Sequence, residues 1–285
     1  MTTDTSKITG AADDLSDKLT KGGSAAKTLG AEIANAIKSL DGRVAALEAS
    51  GGGGGPVPPD PIPPSGDIVI PQGPITEFTA ANGGYLKIGG VRYHVETPGK
   101  SWNLQQVDDR TLRFEIRSGD RFSSSYWTDP PTSERCELGN DSEALVPPAG
   151  TALLQHRIMW EAGPETTSPW SCYSQMHEKD VSNSPPYTIE LQNDKMEINI
   201  GYDTEKFVYK DTNKIQRGKW YTIQSEIKWD RNNGFLRVKR DGVQIVNYTG
   251  PLGTGVAHYP KFGIYRSEAN ETVAVQYRDW SLKIT

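Results

Sequence analysis

From Asp67 to the end of the chain, apolar and polar residues alternate with a period of two in short runs. Successive side chains of a β-strand point to opposite faces, so this alternation predicts strands with one face in a core. Asp241-Gly242 and Asn233-Gly234 are dipeptides typical of tight hairpin turns. This part of the chain shows no helical period and no internal repeat, which disfavours propellers and β-helices. We therefore predict an all-β fold, a β-jelly roll of the concanavalin-like sandwich type.

The N-terminal part of the chain has a helical composition instead. Residues 1–50 are rich in Ala, Leu, Lys, Asp and Glu. The apolar residues that recur at heptad spacing are Ile33, Ile37, Leu40, Val44 and Leu47. This seam predicts a short coiled coil, and residues 40–48 look like coiled-coil segments of phage tail fibres and spikes. We expect residues 1–50 to form a helical oligomerisation or attachment segment, with a homotrimer through residues 30–50. The alternative is a lone amphipathic helix docked on the main domain.

A sharp change of composition separates this segment from the strands. Five glycines at Gly51–Gly55 precede a proline-rich run that ends at Pro64. Glycine-rich chain is flexible, whereas proline-rich chain forms a stiff polyproline II spacer. We therefore predict a linker at residues 51–66 and a β-jelly-roll domain at residues 67–285.

Charge and hydropathy exclude several partners. The net charge is −5, so there is no bulk basic field to attract a nucleic acid. No apolar run approaches the roughly 18 residues needed for membrane insertion. Residues 1–10 lack the basic and apolar regions of a secretory signal peptide. We expect an extracellular or virion-associated protein whose route out of the producing cell is not an ordinary cleaved signal.

Three of the predicted strands, Glu134–Leu138, Ser171–His177 and Tyr259–Tyr265, carry polar side chains along one face. The side chains on these faces are Arg135, Glu137, Tyr173, Gln175, His177, Tyr259, Lys261 and Tyr265. Gly263 lies among them and permits close approach of a ligand or a neighbouring backbone. On a curved sheet, such a face is suited to bind polysaccharide. An ordinary strand with a wet face is the alternative.

Taken in chain order, the motifs Arg-x-Glu-Leu, Gln-x-His and Tyr-x-Lys-x-Gly-x-Tyr resemble those of the jelly-roll polysaccharide lyases. The alginate lyases of polysaccharide lyase family seven carry all three, and the heparin lyase I and glucuronan lyase groups are similar. The resemblance covers about residues 67–285. Cys136 departs from the small hydroxyl residue usual in alginate lyases, and Tyr265-Arg266-Ser267-Glu268 is closer to the glucuronan and heparin lyase groups. These departures leave the uronic acid of the substrate open.

The resemblance implies an endo-acting lyase that cleaves a uronic-acid-containing polysaccharide by β-elimination. Such an enzyme removes the proton on C5, expels the 4-O-glycosidic oxygen and must stabilise the charge that develops on the carboxylate. It implies Tyr265, His177, Gln175 and Arg135 as catalytic residues, with the Arg135 fork on the substrate carboxylate. Tyr265 would act as both base and acid in a syn elimination, whereas His177 would be the base in an anti elimination.

The implied substrate-binding residues are Lys261, Tyr259, Glu137, Tyr173 and Arg266. No cofactor and no catalytic metal is required, although a structural calcium ion is compatible with the resemblance. The partner would be an acidic polysaccharide, and the stalk would make the protein a phage depolymerase of the tail-spike kind. The alternative is a non-catalytic carbohydrate-binding jelly roll for host attachment. A glycoside hydrolase is disfavoured, because the Glu-x-Asp-x-x-Glu motif of jelly-roll glucanases is absent.

The chain has two cysteines, Cys136 and Cys172, too few for a disulfide framework. Counting back from Gln175, strict alternation turns Tyr173 to the groove and Cys172 to the core, where Cys136 also points. If the two strands are neighbours, the sulfurs share one layer and a disulfide becomes compatible with the geometry. Two buried free thiols are the equal alternative.

Overall fold

The computed structural model describes residues 68–70, 73–140, 142–180, 184–201 and 206–285. These residues form an all-β sandwich without a helix, so the predicted all-β jelly roll is confirmed. Accordingly, the described ranges contain no helix able to span a membrane. The predicted helical segment at residues 1–50 and the linker at residues 51–66 lie outside the described residues.

The period-two pattern gives seventeen strands over the described residues. In chain order they are β1 (Ile68–Ile70), β2 (Ile75–Thr76), β3 (Tyr85–Ile88), β4 (Val91–Glu96), β5 (Leu104–Gln106), β6 (Thr111–Ile116), β7 (Ser133–Gly139), β8 (Thr151–Trp160), β9 (Ser171–Glu178), β10 (Tyr187–Gln192), β11 (Lys195–Asn199), β12 (Phe207–Lys210), β13 (Tyr221–Lys228), β14 (Asp230–Arg240), β15 (Val243–Leu252), β16 (His258–Ser267) and β17 (Val273–Ile284). The first sheet has the order β15-β14-β13-β8-β17-β6-β5, with β1 paired to β17. The second has the order β12-β11-β10-β9-β16-β7-β4-β3-β2.

Only one of the two predicted tight turns is present. Asp241 and Gly242 have φ values of 51° and 80° and join β14 directly to β15, as expected of a type I′ turn. The last β13–β14 pair is instead Lys228 with Phe235, and Asn233-Gly234 lies in the irregular first part of β14, where the pairing with β15 shifts register. There the Asp230 side chain accepts hydrogen bonds from the backbone N–H groups of Asn232 and Asn233, which stabilises this part without a two-residue turn.

Phe262 anchors the middle of the second sheet to the core. Its ring stacks on Trp280 at 3.8 Å between centroids and makes edge contacts with Tyr93 at 5.7 Å and Phe114 at 5.8 Å. Such aromatic pairs add to the free energy of apolar burial. Because side chains alternate along a strand, this anchor fixes the opposite face of β16, which carries Lys261 and Tyr265.

A β-bulge at Tyr173 changes the alternation within β9. Ile189 of β10 pairs with Ser174, but the next residue, Glu190, pairs with Cys172, so Tyr173 is the extra residue. A bulge shifts the side-chain phase of the strand that contains it. Tyr173 therefore enters the core, where it is fully buried and meets Trp160 edge-on at 5.3 Å. The prediction that Tyr173 faces the groove and binds substrate is wrong for this reason.

The bulge also decides the arrangement of the two cysteines. Cys136 lies on the core side, where its thiol donates a hydrogen bond to the carbonyl oxygen of Asn103. Cys172, before the bulge, shares a face with its cross-strand partner Tyr265. Strand β16 lies between β7 and β9, and both thiols are free. The expectation that the two sulfurs share one layer is wrong, and the alternative of two buried free thiols is confirmed.

Gly263 is required by the close approach of β16 and β7. Its φ is 138°, and a Cβ atom there would lie 2.3 Å from the Cys136 carbonyl oxygen and 2.8 Å from the Glu137 Cα. Both contacts are with backbone, which cannot move aside without opening the sheet. The Tyr277 hydroxyl further fixes this point through the Gly263 carbonyl oxygen, at 3.2 Å.

We expect Gly263→Ala to lower the free energy of unfolding by at least about 2 kcal/mol, because it combines an unfavourable φ with a backbone clash. Urea denaturation of the purified variant measures this. Gly163→Ala is the matched control, since a Cβ at Gly163 would meet no atom within 4 Å. Equal stability of the two variants would contradict the close approach of β16 and β7.

Candidate active site

The central strands β9, β16 and β7 bring together the three sequence motifs on the face that points away from the core. Tyr265 pairs with Arg135 across β16 and β7, and Lys261 pairs with Gln175 across β16 and β9. The side chains gathered there are Arg135, Glu137, Gln175, His177, Tyr259, Lys261 and Tyr265, which we call the central patch. Seven of the nine predicted site residues therefore share one surface.

Three carboxylates engage four of the five N–H groups of the Arg135 side chain. Its Nε and Nη2 atoms donate to the two carboxylate oxygens of Asp129, each at 2.8 Å. Its Nη1 donates to Glu96 at 3.0 Å and to Glu137 at 2.8 Å. Burial alone would lower the pKa of Arg135, but these carboxylates raise it above its ordinary value. We expected the two parallel N–H groups of Arg135 to bind a substrate carboxylate, but they bind Asp129 instead. Arg135 can therefore act on a substrate through its positive charge and by positioning the Tyr265 ring.

Glu137 is the central acceptor of the patch. One of its oxygens accepts a hydrogen bond from Gln175 at 2.6 Å. The other accepts from Arg135 and lies 3.3 Å from the Lys261 ammonium. Since Glu137 is fully buried and engaged on both oxygens, it orients side chains from three strands. This placement leaves no exposed surface for the predicted direct contact of Glu137 with substrate.

Lys261 is buried as well and completes the ion network. Its Nζ donates to Glu96 at 2.7 Å, and Glu96 bridges it to Arg135. Burial alone would lower the pKa of Lys261, but Glu137 and Glu96 raise it above its ordinary value. The same two cations hold the pKa of Glu96 below its ordinary value, against burial, which would raise it. Arg135, Lys261 and Glu96 are therefore charged at neutral pH.

His177 is half-buried and has one defined hydrogen bond. Its Nδ1 lies 2.9 Å from the carbonyl oxygen of Glu178, which can only accept, so Nδ1 carries the hydrogen. In the neutral ring, Nε2 then holds a lone pair. Burial lowers the pKa of His177, and the charges of Lys261 and Arg135 lower it further. His177 is consequently neutral at physiological pH, and its basic Nε2 has no hydrogen-bond partner among the residues that the structure describes.

Tyr265 is also half-buried, and its ring is held by two neighbours. The Arg135 guanidinium carbon lies 3.9 Å from the ring centroid, and Trp170 meets the ring edge-on at 4.9 Å. A cation over an aromatic ring stabilises its position. The patch thus combines two accessible groups able to transfer a proton, Tyr265 and His177, with the buried ion pairs of Arg135 and Lys261 beneath them.

Two members of the network, Asp129 and Glu96, are absent from the residues that the sequence predicted. Asp129 lies in the loop before β7, where no periodicity marks it, and Glu96 ends β4, a strand that we did not predict. Trp127, in the same loop as Asp129, is 48% exposed and donates its indole N–H to Asp129 at 2.7 Å. This loop therefore presents the exposed Trp127 ring beside the central patch, hydrogen-bonded to Asp129, which in turn holds Arg135.

Arg266 does not belong to the central patch. It is fully buried, with ion pairs to Glu134 at 2.7 Å and to Glu271 at 3.0 Å. It follows Tyr265 in β16, so alternation turns it to the opposite face of the sheet. The prediction that Arg266 binds substrate is therefore wrong, and its role is to join β16 to β7 and to the chain after β16.

Over the described part of the chain, no three His, Cys, Asp or Glu side chains form a group that could hold a metal ion. Asp129, Glu96 and Glu137 do approach one another, but Arg135 and Lys261 occupy their oxygens. A structural calcium ion stays a prediction from the resemblance alone.

Comparison with solved structures gives alginate lyases. Alginate lyase AlgAT5 from polysaccharide lyase family 7 has a TM-score of 0.48 and 15% identity, covering 74% of this chain and 93% of that one. The alginate lyase from Corynebacterium sp. has a TM-score of 0.47 and 16% identity, covering 74% and 92%. Alginate lyase A1-II′, a member of polysaccharide lyase family 7, has a TM-score of 0.47 and 12% identity, covering 67% and 92%.

No sequence among curated proteins matches this chain. The model of the family described as polysaccharide lyase does match, over residues 96–280, which is well over half of the chain and includes the central patch. On that ground the chain belongs to the polysaccharide lyase family, and the protein is a polysaccharide lyase enzyme.

Proposed function

We propose that the enzyme is an endo-acting lyase that cleaves a uronic-acid-containing polysaccharide by β-elimination at the central patch. The observation that carries the proposal is the pairing of two accessible proton-transfer groups, Tyr265 and His177, with the buried cations Arg135 and Lys261. Elimination needs a base for the C5 proton, an acid for the leaving oxygen and positive charge near the carboxylate. The similar alginate lyases act on a uronic-acid polymer, which supports the same class of substrate.

The roles follow from the environment of each group. His177 offers a neutral Nε2 as the base, and Tyr265 offers a hydroxyl proton to the leaving oxygen. Arg135 and Lys261 supply positive charge, and Gln175 retains one amide hydrogen for the substrate beside its bond to Glu137. A syn elimination in which Tyr265 is both base and acid is the second candidate, because the Arg135 guanidinium carbon lies 3.9 Å from its ring centroid and places positive charge beside the reacting group.

The test is ultraviolet absorbance of the unsaturated uronide when the purified protein meets a panel of uronic-acid polymers and bacterial exopolysaccharides. A lyase produces a steady increase in absorbance. If it cleaves within the chain, the viscosity falls to a low value while only a small part of the final absorbance has appeared. Binding without any new absorbance would favour the non-catalytic carbohydrate-binding alternative. Tyr265→Phe is the control for contaminating activity.

We expect kcat/KM to stay high as the pH falls to about 6.5, the ordinary pKa of histidine, and to drop only below it. Burial and the nearby cations lower the pKa of His177, so its neutral, basic form persists to lower pH. Lys261→Met removes one of these cations and leaves Glu137, which raises the pKa of His177. The acidic limb should therefore move to higher pH in Lys261→Met.

The measurement is the pH profile of kcat/KM for the wild type, Lys261→Met and the control Lys219→Met. Lys219 pairs with Asp241, at the turn between β14 and β15 in the other sheet. An acidic limb at the same pH in all three proteins would exclude His177 as the titrating base. A shift in Lys261→Met alone would support it.

We further propose that residues 1–50 form a homotrimeric stalk, joined by the linker at residues 51–66 to the lyase domain at residues 67–285. The stalk would place the enzyme on a virion, outside the cell, as a depolymerase. The heptad seam and the glycine- and proline-rich run support this.

We expect the full chain to be a trimer in sedimentation analysis. The double variant Ile37→Lys, Val44→Lys places charge in the heptad seam, so it should be a monomer that retains activity. A monomeric wild type would contradict the stalk.

A further inference from the structure

The loop between β6 and β7 contains a short hairpin with an aromatic tip. Ser123 and Thr128 form an antiparallel bridge, and their hydroxyl groups lie 2.8 Å apart. At the tip, the Ser124 hydroxyl accepts hydrogen bonds from the backbone N–H groups of Tyr126 and Trp127, at 3.3 and 3.1 Å. Bonds of this kind from a side chain to nearby backbone stabilise a tight turn. The hairpin therefore gives its tip a defined conformation, which lowers the cost of ordering it when a ligand binds.

The tip exposes two large aromatic side chains to solvent. Tyr126 is 70% exposed and Trp127 is 48% exposed, and they are two of the four exposed large apolar side chains among the described residues. Scattered apolar residues are common on protein surfaces, but adjacent ones beside a functional site mark a binding surface. The indole N–H of Trp127, its single polar group, is already bonded to Asp129. The exposed part of the ring therefore offers apolar surface to a ligand.

The same hydrogen bond connects Trp127 to the central patch. The Oδ1 atom of Asp129 accepts from Trp127 Nε1 at 2.7 Å and from Arg135 Nη2 at 2.8 Å. The Arg135 guanidinium carbon in turn lies 3.9 Å from the centroid of the Tyr265 ring. With the length of one C–N bond, these contacts place the indole nitrogen within about 11 Å of that centroid. Neighbouring sugars of one polysaccharide chain can span this distance.

A sugar ring is the ligand that fits this surface. One face of a pyranose carries C–H bonds, while its hydroxyl groups lie around the edge, so the ring can stack on an indole and keep its hydroxyl groups in water. The central patch itself offers polar and charged groups, for which water competes. Stacking removes apolar surface from water instead. An aromatic side chain next to the patch thus adds affinity that the polar groups do not provide.

We propose that Trp127 stacks on the substrate sugar next to the reacting one, and that its N–H, through Asp129, holds Arg135 in position beside Tyr265. Trp127 is then a substrate-binding residue and a positioning residue for the reaction. The positioning role rests on the proposed β-elimination at the central patch, whereas stacking requires only that the protein binds a polysaccharide. Because one side chain has both roles, binding of the neighbouring sugar is coupled to the placement of Arg135.

The first test removes the ring. We expect the affinity of Trp127→Ala for polysaccharide, measured by calorimetry, to fall at least about fivefold, because tryptophan is a frequent anchor of binding surfaces. Trp220→Ala is the matched control, since Trp220 is half-buried and lies between Arg157 and Arg278 of the first sheet. The control should keep wild-type affinity. Wild-type affinity in Trp127→Ala, or an equal loss in both variants, would overturn the stacking.

The second test keeps an aromatic ring and removes the N–H. We expect Trp127→Phe to lower kcat at least about fivefold, because Arg135 is held less well, and to change KM by no more than about twofold. Initial rates of absorbance give both constants, and urea denaturation shows whether the variant is folded. Wild-type kcat in Trp127→Phe would overturn the positioning role. A loss of affinity as large as in Trp127→Ala would overturn the stacking, because the N–H and not the ring face would then bind the sugar.

The two tests separate this proposal from the lyase proposal. If the wild type binds a polymer of the panel but gives no new absorbance, the elimination and the positioning role fail, and calorimetry of Trp127→Ala still decides the stacking. If the wild type cleaves a polymer that Trp127→Ala binds equally well, the stacking fails and the lyase proposal stands. Binding of no polymer would overturn both.

Discussion

Tyr265→Phe should lower turnover by at least about 100-fold while the affinity for polysaccharide is retained. Phenylalanine keeps the ring over the Arg135 guanidinium and against Trp170, so the surface of the groove is unchanged. Only the hydroxyl is lost, and both proposed elimination geometries route a proton through it. The variant therefore tests the role of the phenolic oxygen in catalysis without changing the surface that binds the polysaccharide.

The measurement pairs initial rates of absorbance with calorimetric binding of the same polymer. Tyr248→Phe is the matched control, because its hydroxyl donates to the Pro251 carbonyl oxygen in β15 of the other sheet. We expect wild-type turnover from Tyr248→Phe. Turnover near the wild-type value from Tyr265→Phe would remove Tyr265 from the chemistry and would leave His177 as the sole candidate for proton transfer.

His177→Gln in the same series distinguishes the two geometries. If His177 is the base, its loss should lower turnover about as much as the loss of the Tyr265 hydroxyl does. If Tyr265 serves as both base and acid, the effect of His177→Gln should be much smaller. Glutamine keeps a hydrogen-bond donor for the Glu178 carbonyl oxygen, so the comparison depends on the lost basic nitrogen.

Period-two alternation was sufficient to place most of the central patch. It put Arg135 with Glu137, and Lys261 with Tyr265, because β7 and β16 pair without interruption. It failed in β9 before Gln175, since nothing in the sequence marks the extra residue of the bulge. A bulge depends on the pairing with neighbouring strands and on the packing of the core beneath it, and the sequence of β9 alone shows neither.

The errors at Arg266 and Arg135 have different origins. Alternation alone assigns Arg266 to the face opposite Tyr265, so its placement at the substrate came from the resemblance and not from the strand. Of the three carboxylates that hold Arg135, Glu137 lies in the same strand and was predicted. The other two come from a loop and from β4, whose Glu96 lies 39 residues away in the chain, and no local pattern connects such distant residues. The sequence therefore identified Arg135 and Glu137 and missed Asp129 and Glu96.

The second large effect is expected at Arg135, where Arg135→Lys retains the charge but not the planar fork. Lysine cannot reproduce the two parallel hydrogen bonds to Asp129, whose side chain is fully buried. It also cannot lie flat over the Tyr265 ring. We expect turnover to fall by about 100-fold or more, and the free energy of unfolding to fall by about 2 kcal/mol, less than for a buried ion pair that loses one partner completely.

Arg113→Lys is the matched control for this variant, because it also breaks a two-point contact with a carboxylate. Arg113 donates to Glu161 from Nε at 2.8 Å and from Nη2 at 2.9 Å, in the first sheet. The control should lose stability and keep turnover, when both are measured well below the unfolding temperature. Arg135→Lys should lose both, with the loss in kcat larger than the change in KM. Wild-type turnover from Arg135→Lys would mean that Arg135 acts only as a distant positive charge, and that Tyr265 does not need its ring contact to transfer a proton.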